Sequence, residues 1–367
     1  MLHFQTRGLV RFMRKVVGPM TATAIRGTRR KSRIRLGPVL ERSLRLVLLA
    51  LAGVWLVWNL VADPTRFTGS LLVGLQNGLL YALVALGYTM VYGVIELINF
   101  AHGDLFMLAT IVAAAIMVTA LGVEHLGASA ILPVIVALLG CMAFGAAVNV
   151  SAEFFAYRRL RSAPRLAPLM TAVGLSFVFR GIAQQDYVNG SAQKNWPLVW
   201  GGPIVEGVYL YKLLLVGAVT APVLLGMRYV VTRTKMGKAM RAVAQDQDAA
   251  RLVGINVNRT ISFTFALGGA LAGVAGVLFF SVQAQTYYDT GTQLGLIAFT
   301  AAVLGGIGNL TGAVVGGLAI GLIQAINEGG AHGLGSNWSQ SLVFLILIVL
   351  MVFRPEGIFG RPSTEKV

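Results

Sequence analysis

Apolar residues run through this chain in blocks separated by short polar stretches. A helix needs about 17–25 mostly apolar residues to cross a bilayer core. Blocks of that kind lie at 46–62, 70–94, 103–121, 129–150, 167–184, 208–227, 260–281, 294–307, 311–327 and 339–353. Several are short and suit half-helices, or helices whose ends reach past the apolar block. The pattern predicts an all-α polytopic membrane protein with about 8–10 transmembrane helices, because helices and closed barrels alone satisfy their backbone in lipid.

Loop charge gives the blocks a direction. Segment 157–165 carries Arg158, Arg159, Arg161 and Arg165. Segment 228–251 carries Arg228, Arg233, Lys235, Lys238, Arg241 and Arg251, and the chain end carries Arg354, Arg361 and Lys366. The alternate loops 122–128, 185–207, 282–293 and 328–338 hold a single Lys or Arg, Lys194. Ten crossings with the N-terminus inside put every basic loop in the cytoplasm under the positive-inside rule, and the C-terminus with them.

Two stretches interrupt this rhythm. LINFAHGDLFMLA (97–109), preceded by Glu96, places Asn99, His102 and Asp104 among apolar residues. GGIGNLTG (305–312) breaks a later apolar run with glycines and Asn309. Broken helices in corresponding places of two halves are a mark of an inverted internal repeat. A charged side chain in hydrocarbon costs about 2.5–3.5 kcal/mol on insertion scales, so the first stretch needs partners or water. Gly269 and Gly273, Gly312 and Gly316, and Gly317 and Gly321 each fall four apart. Such pairs share a helix face and let another backbone approach closely.

Composition agrees with the pattern. Charged residues make up 12% of the 367, where a soluble domain carries about a quarter, and mean hydropathy is +0.74. The net charge of +16 sits mostly in residues 1–45, with twelve Arg and Lys against Glu41 alone. Standing before the apolar block 46–62, this tail reads as a disordered cytoplasmic flank touching anionic lipid rather than a nucleic-acid binder. Met13 and Met20 are alternative starts. The block itself, followed by VADP without a small-residue cleavage pattern, reads as an additional N-terminal transmembrane helix that is retained. The core of the chain is then 70–360.

Chemistry for catalysis is absent from the sequence. No G-x-x-x-x-G-K-[ST] loop occurs, and Gly306-x-Gly308-x-x-Thr311 lacks the third glycine of a dinucleotide loop. The lone Cys141 reads as a small buried side chain. His3, His102, His125 and His332 have no metal-ligand spacing. No enzyme activity, metal or bound cofactor is expected of this chain.

One polar stretch remains inside the core, 233–259, RTKMGKAMRAVAQDQDAARLVGINVNR. It reads as two short helices. Met240 and Val243 give the first, Gly237 to Gln245, an apolar side. Asp246 and Asp248 suit the cap and first turn of the second. Gly254 suits a left-handed stop. So short an amphipathic piece is marginal alone and predicts docking into a groove on a partner, or onto the membrane surface.

DAARLVG (248–254) resembles the E-A-A-x-x-x-G coupling motif of ABC importer permeases, with Asp248 in place of Glu. Residues 81–108, 299–322 and 353–360 resemble successive segments of the branched-chain amino acid permeases. YTMVYG and NFAHGD are closer to their LivH-type subunits than to the LivM-type. The resemblance covers roughly 70–360. It implies a bacterial cytoplasmic-membrane importer built with a second related permease, two cytoplasmic ATPases that use the ATP, and an extracytoplasmic substrate-binding protein. It implies an ATPase-coupling loop with Gly237, Arg241, Asp248, Ala249, Ala250 and Gly254. Branched-chain amino acids are the implied cargo, with urea or short amides as alternatives; an ATP-independent channel or secondary transporter is the rival of another class. For a zwitterionic cargo, Asn99, His102, Asn309 and Thr311 are substrate-path candidates, against a second reading in which they cap helix ends.

Overall fold

The computed structural model describes residue 50 and residues 53–126, 128–161, 163–164, 166–200, 208–354 and 356–360. Expectations for the tail 1–45, for nearly all of 46–52, and for Arg165, Arg361 and Lys366 lie outside these residues. The chain divides into two compact units, Met1–Trp58 and Asn59–Val367. In the first, residues 53–58 are helical and open α1, Gly53–Ala62. The second unit holds the remaining helices and is described from here on.

Among the described residues, eight helices are long and apolar enough to span a membrane: α2 (Pro64–Ile95), α3 (Ala101–Ala120), α4 (Ile131–Leu160), α5 (Leu166–Ala183), α6 (Val208–Arg233), α9 (Val257–Gln283), α11 (Leu310–Gly329) and α12 (Ser336–Phe353). Helix α10, Thr290–Gly305, is apolar but shorter. Between α6 and α9 lie the two short helices expected there, α7 (Lys235–Gln245) and α8 (Gln247–Leu252).

Several ends differ from the apolar blocks. Helix α2 starts at Pro64 because Asp63 accepts the Arg66 amide at 3.0 Å and proline suits the first helical position. Helix α4 runs to Leu160, taking in Arg158 and Arg159 of the supposed loop. Its last turns include a π segment, Glu153–Tyr157. Glu153 is fully buried, pairing with Arg158 at 2.7 Å and with Arg161, and accepting the Ser262 hydroxyl at 2.8 Å. The ion pairs let the basic turns stay helical against α9.

Helices α2 and α9 form the centre. Helix α11 lies along α2, and α9 touches α2, α3 and α4. The approach is backbone to backbone. A Cβ added at Gly78 would lie 2.8 Å from Leu318 Cα, and one at Gly317 would lie 2.6 Å from the Ala82 nitrogen. All three glycine pairs seen in the sequence serve such contacts: Gly269 and Gly273 against Gly145 and Cys141, Gly312 and Gly316 against Gly305 and Ala301, Gly317 and Gly321 against Ala82 and Gly78. The outer helices α5, α6 and α12 expose large apolar side chains such as Phe177, Leu225 and Ile348, which suits a lipid surface.

The loops sort by charge. The loops poor in basic residues join through two small pairings. His125–Leu126 runs parallel to Val199–Trp200, and Lys194–Asn195 antiparallel to Gln285–Thr286. The basic turn after α4 meets the first turn of α9, where Arg161 donates to Asn258 Oδ1 at 2.7 Å.

Candidate functional site

Two breaks in the helical layer organise the site. At the first, Glu96 ends α2 in the left-handed region at φ 54°, its amide on the Tyr92 carbonyl at 2.8 Å. Residues 96–99 belong to no helix or strand, and α3 begins beside Gly87 and Tyr88, about 10 Å back along α2 at 1.5 Å per residue. Within a membrane-spanning layer, non-helical backbone is tolerated where protein surrounds it or where it lines a water-filled cavity. Asn99, 4% exposed, supplies the surroundings. Its Oδ1 accepts the Tyr157 hydroxyl at 2.8 Å, and its amide approaches Asn149 Oδ1 at 3.5 Å. Asn149 in turn donates to the Phe265 carbonyl at 2.7 Å. One side chain thus ties the break to the π segment of α4 and to α9.

His102 is 1% exposed and packs over Gly87, where any side chain would collide with its ring. It meets Tyr88 edge to face, ring centres 5.0 Å apart. Neither ring nitrogen has a hydrogen-bond partner.

Asp104 has partners that the sequence did not reveal. The Ser176 hydroxyl donates to its Oδ2, and Arg180 Nε lies 3.7 Å from its Oδ1. Arg180 also donates to Ser176 Oγ at 3.1 Å and reaches Asp289 Oδ1 at 3.7 Å. Its guanidinium sits over the Phe177 ring, 4.8 Å from the centre. The readable signal was an arginine inside an apolar block, which is costly and marks function or pairing.

The second break is closed differently. Gly306 and Gly308 take φ 100° and 91°, conformations that other residues rarely adopt. Asn309 caps α11, its Oδ1 accepting the Gly312 amide at 3.1 Å. The freed carbonyls of Leu304 and Gly305 accept the amides of Ile358 and Phe359 at 2.9 and 3.1 Å. Asn309 Nδ2 donates to the Phe359 carbonyl at 2.9 Å. Thr311 is exposed on the first turn. The breaks neighbour each other at Gly93 and Gly308.

The polar segment 233–259 is tightly capped. Thr234 Oγ1 accepts the Gly237 amide at 3.0 Å, and a side chain at Gly237 would strike the carbonyls of Val230 and Val231. Arg241 donates to the Val231 carbonyl. Met240 and Val243 are buried as their spacing predicted. Asp246 caps α8 through the amides of Asp248 and Ala249, and exposed Asp248 pairs with Arg251 at 3.2 Å. At the far end Gly254 takes φ 82°. Its amide reaches the Arg251 carbonyl and that of Ile255 reaches Ala250, both at 3.0 Å, a Schellman stop. Ala250 is buried and Ala249 faces out. Leu252 and Val253 are 89% and 76% exposed, an apolar pair held out on a rigid knuckle.

Residues 70–352 match the family described as branched-chain amino acid transport system, permease component. A high-affinity branched-chain amino acid transport system permease protein, BraD, of Pseudomonas aeruginosa is 39% identical over 82% of this chain and 98% of its own length. The LivH permease protein of the corresponding system of Escherichia coli K12 is 36% identical over 80% of this chain and 96% of its own. The ribose import permease protein RbsC of the same strain is 28% identical over 79% and 87%. No solved structure matches the chain.

Proposed function

The chain belongs to the branched-chain amino acid transport permease family, and from that membership we propose that it is the LivH-type subunit of an ATP-driven importer. Its cargo is an apolar, branched-chain amino acid crossing the bacterial cytoplasmic membrane. Its partners are a second related permease, two cytoplasmic ATPases and an extracytoplasmic binding protein. Both termini face the cytoplasm, with the basic loops.

The observation that carries this reading is the α8 knuckle. A short helix braced by an aspartate cap and a Schellman stop holds Leu252 and Val253 in solvent. Exposed apolar side chains on a rigid support suit an apolar groove on a partner. Moving a gate from 1:99 to 99:1 takes about 5.5 kcal/mol of differential binding, which a floppy connection could not transmit. An ATP-independent channel or secondary transporter would have no use for the knuckle. In the same reading Asn99 and Asn309 hold the two breaks, while His102 and Thr311 are the path candidates whose side chains are not engaged in doing so.

Reconstitution with the four partner subunits tests the proposal. Leucine uptake should require ATP and the binding protein. Leu252→Asp should lower it at least tenfold while the chain's membrane abundance is unchanged, since that side chain touches little of its own protein. Uptake by the chain alone without ATP would overturn the reading in favour of a channel or secondary transporter, and uptake of urea with none of leucine would replace the cargo.

A further inference from the structure

Helices α3 and α10 start beside each other and run in opposite directions. Phe100 faces Phe299 with ring centres 5.7 Å apart, while a Cβ added at Gly295 would lie 2.9 Å from Gly103 Cα. Where the starts meet, Asp104 Oδ1 lies over Gly291, 2.9 Å from where a Cβ would stand. Beside it Arg180 reaches both Asp104 and Asp289. Among the described residues it is the one cation within 4.0 Å of either carboxylate, so the group carries a net charge of −1.

Its valences are incompletely used. Asp104, 2% exposed, has no hydrogen bond to Oδ1; Arg180 has none from Nε; and Thr292, in the first turn of α10, has none at its hydroxyl. Both Arg180 contacts are 3.7 Å, longer than a hydrogen bond. Arg180 and Asp289 keep side-chain exposures of 23% and 31%, so the open side of the group is reachable. A buried charge cluster is costly unless fully satisfied, and one that leaves polar atoms unpaired is poor glue.

We infer that Arg180 and Asp289, backed by Asp104 and Ser176, bind the charged ends of an α-amino acid on its way through the permease. The ammonium goes to Asp289 and the carboxylate to Arg180, so the ligand's own dipole replaces the long Arg180–Asp289 contact. Asp104 and Ser176 position Arg180 from behind and balance its charge. The N-terminal turn of α10 adds the positive end of a helix dipole on the carboxylate's side. Tyr288, next to Asp289 in the chain, offers apolar surface to the side chain. The assignment rests on the cargo being an amino acid, as proposed above, and it locates the contact within this chain rather than in the binding protein.

The experiment uses the assembled transporter in detergent without its binding protein, and measures thermal stabilisation by leucine, by leucinamide, which lacks the carboxylate, and by 4-methylpentanoate, which lacks the amine. Leucine should raise the melting temperature; the two analogues should not. Asp289→Asn and Arg180→Lys should each lower the apparent leucine affinity at least tenfold. A merely structural ion pair would change the unliganded melting temperature and leave the leucine affinity alone. Should Asp289→Asn fail to assemble, Asp289→Glu must weaken the leucine response with the unliganded melting temperature kept. A leucine shift absent from the unmodified transporter, or unaltered in these variants, overturns the site. Leucine uptake by the complete system is measured in parallel: its presence with no shift sinks the site alone, and its absence sinks the importer reading instead.

Discussion

The two breaks solve one problem with opposite materials. Each is a stretch of non-helical backbone between two packed helices, whose freed backbone groups need partners. The first, at 96–99, is held by side chains: Asn99 on Tyr157 and Asn149, with Asn149 on the Phe265 carbonyl. The second, at 306–309, is held largely by main chain, as Ile358 and Phe359 donate their amides to Leu304 and Gly305. Polar side chains spaced along the chain mark the first kind; glycines mark the second. A helix break with no polar neighbours thus need not be loose, because a distant turn of the same protein can satisfy it.

The comparison fails if adding a side chain hurts both breaks equally. Gly306→Val should be the most damaging change. It forces a β-branched residue to φ 100° and into Gly360, whose nitrogen is 2.5 Å from the added Cβ. Strain and overpacking together cost about 3 kcal/mol or more, and the melting temperature of the purified transporter should fall accordingly. Next comes Asn99→Ala, which strands the Tyr157 hydroxyl and an Asn149 contact. One unsatisfied buried group costs about 1–3 kcal/mol, and a Tyr157→Phe double-mutant cycle should show the two losses overlapping rather than adding. Asn309→Ala should cost about 1 kcal/mol, the usual worth of an N-cap, because the Ile358 and Phe359 amides keep their carbonyls. Smallest is Glu96→Gly: relief of left-handed strain and the entropy of glycine oppose each other, so the stability read from thermal unfolding should move by less than about 1 kcal/mol in either direction. A loss at Asn309 larger than at Asn99 would reverse the assignment of materials.

Much of this was legible in the sequence. Run lengths located the helices, and the glycine and asparagine clusters located both breaks. The cap of α8 and the left-handed Gly254 followed from residue type, because caps are local chemistry; the Thr234 cap of α7, which starts at Lys235 rather than the expected Gly237, was missed. Depth was not legible. The most apolar stretch of α9 is 83% buried and that of α12 only 11%, yet both are apolar all round. Lipid and protein core accept the same side chains, so no periodicity separates an inner helix from an outer one. The ion pairs were hidden too. Asp104 and Arg180 lie on different helices, and Glu153 borrows Ser262 from α9, so only tertiary proximity names the partner. The end of α4 was misplaced for the same reason, since its arginines read as a loop until Glu153 is seen between them.

The main-chain closure at the second break also sets an order of events. Ribosomes deliver a chain from its N-terminus, and domains fold as they emerge. The first break can be sealed as soon as α9 follows α4, since all its partners precede residue 284. The second waits for residues 358 and 359, synthesised about fifty positions after the carbonyls they satisfy. Until then the carbonyls of Leu304 and Gly305 lack these main-chain partners, so this turn cannot be completed before nearly the whole chain has been made.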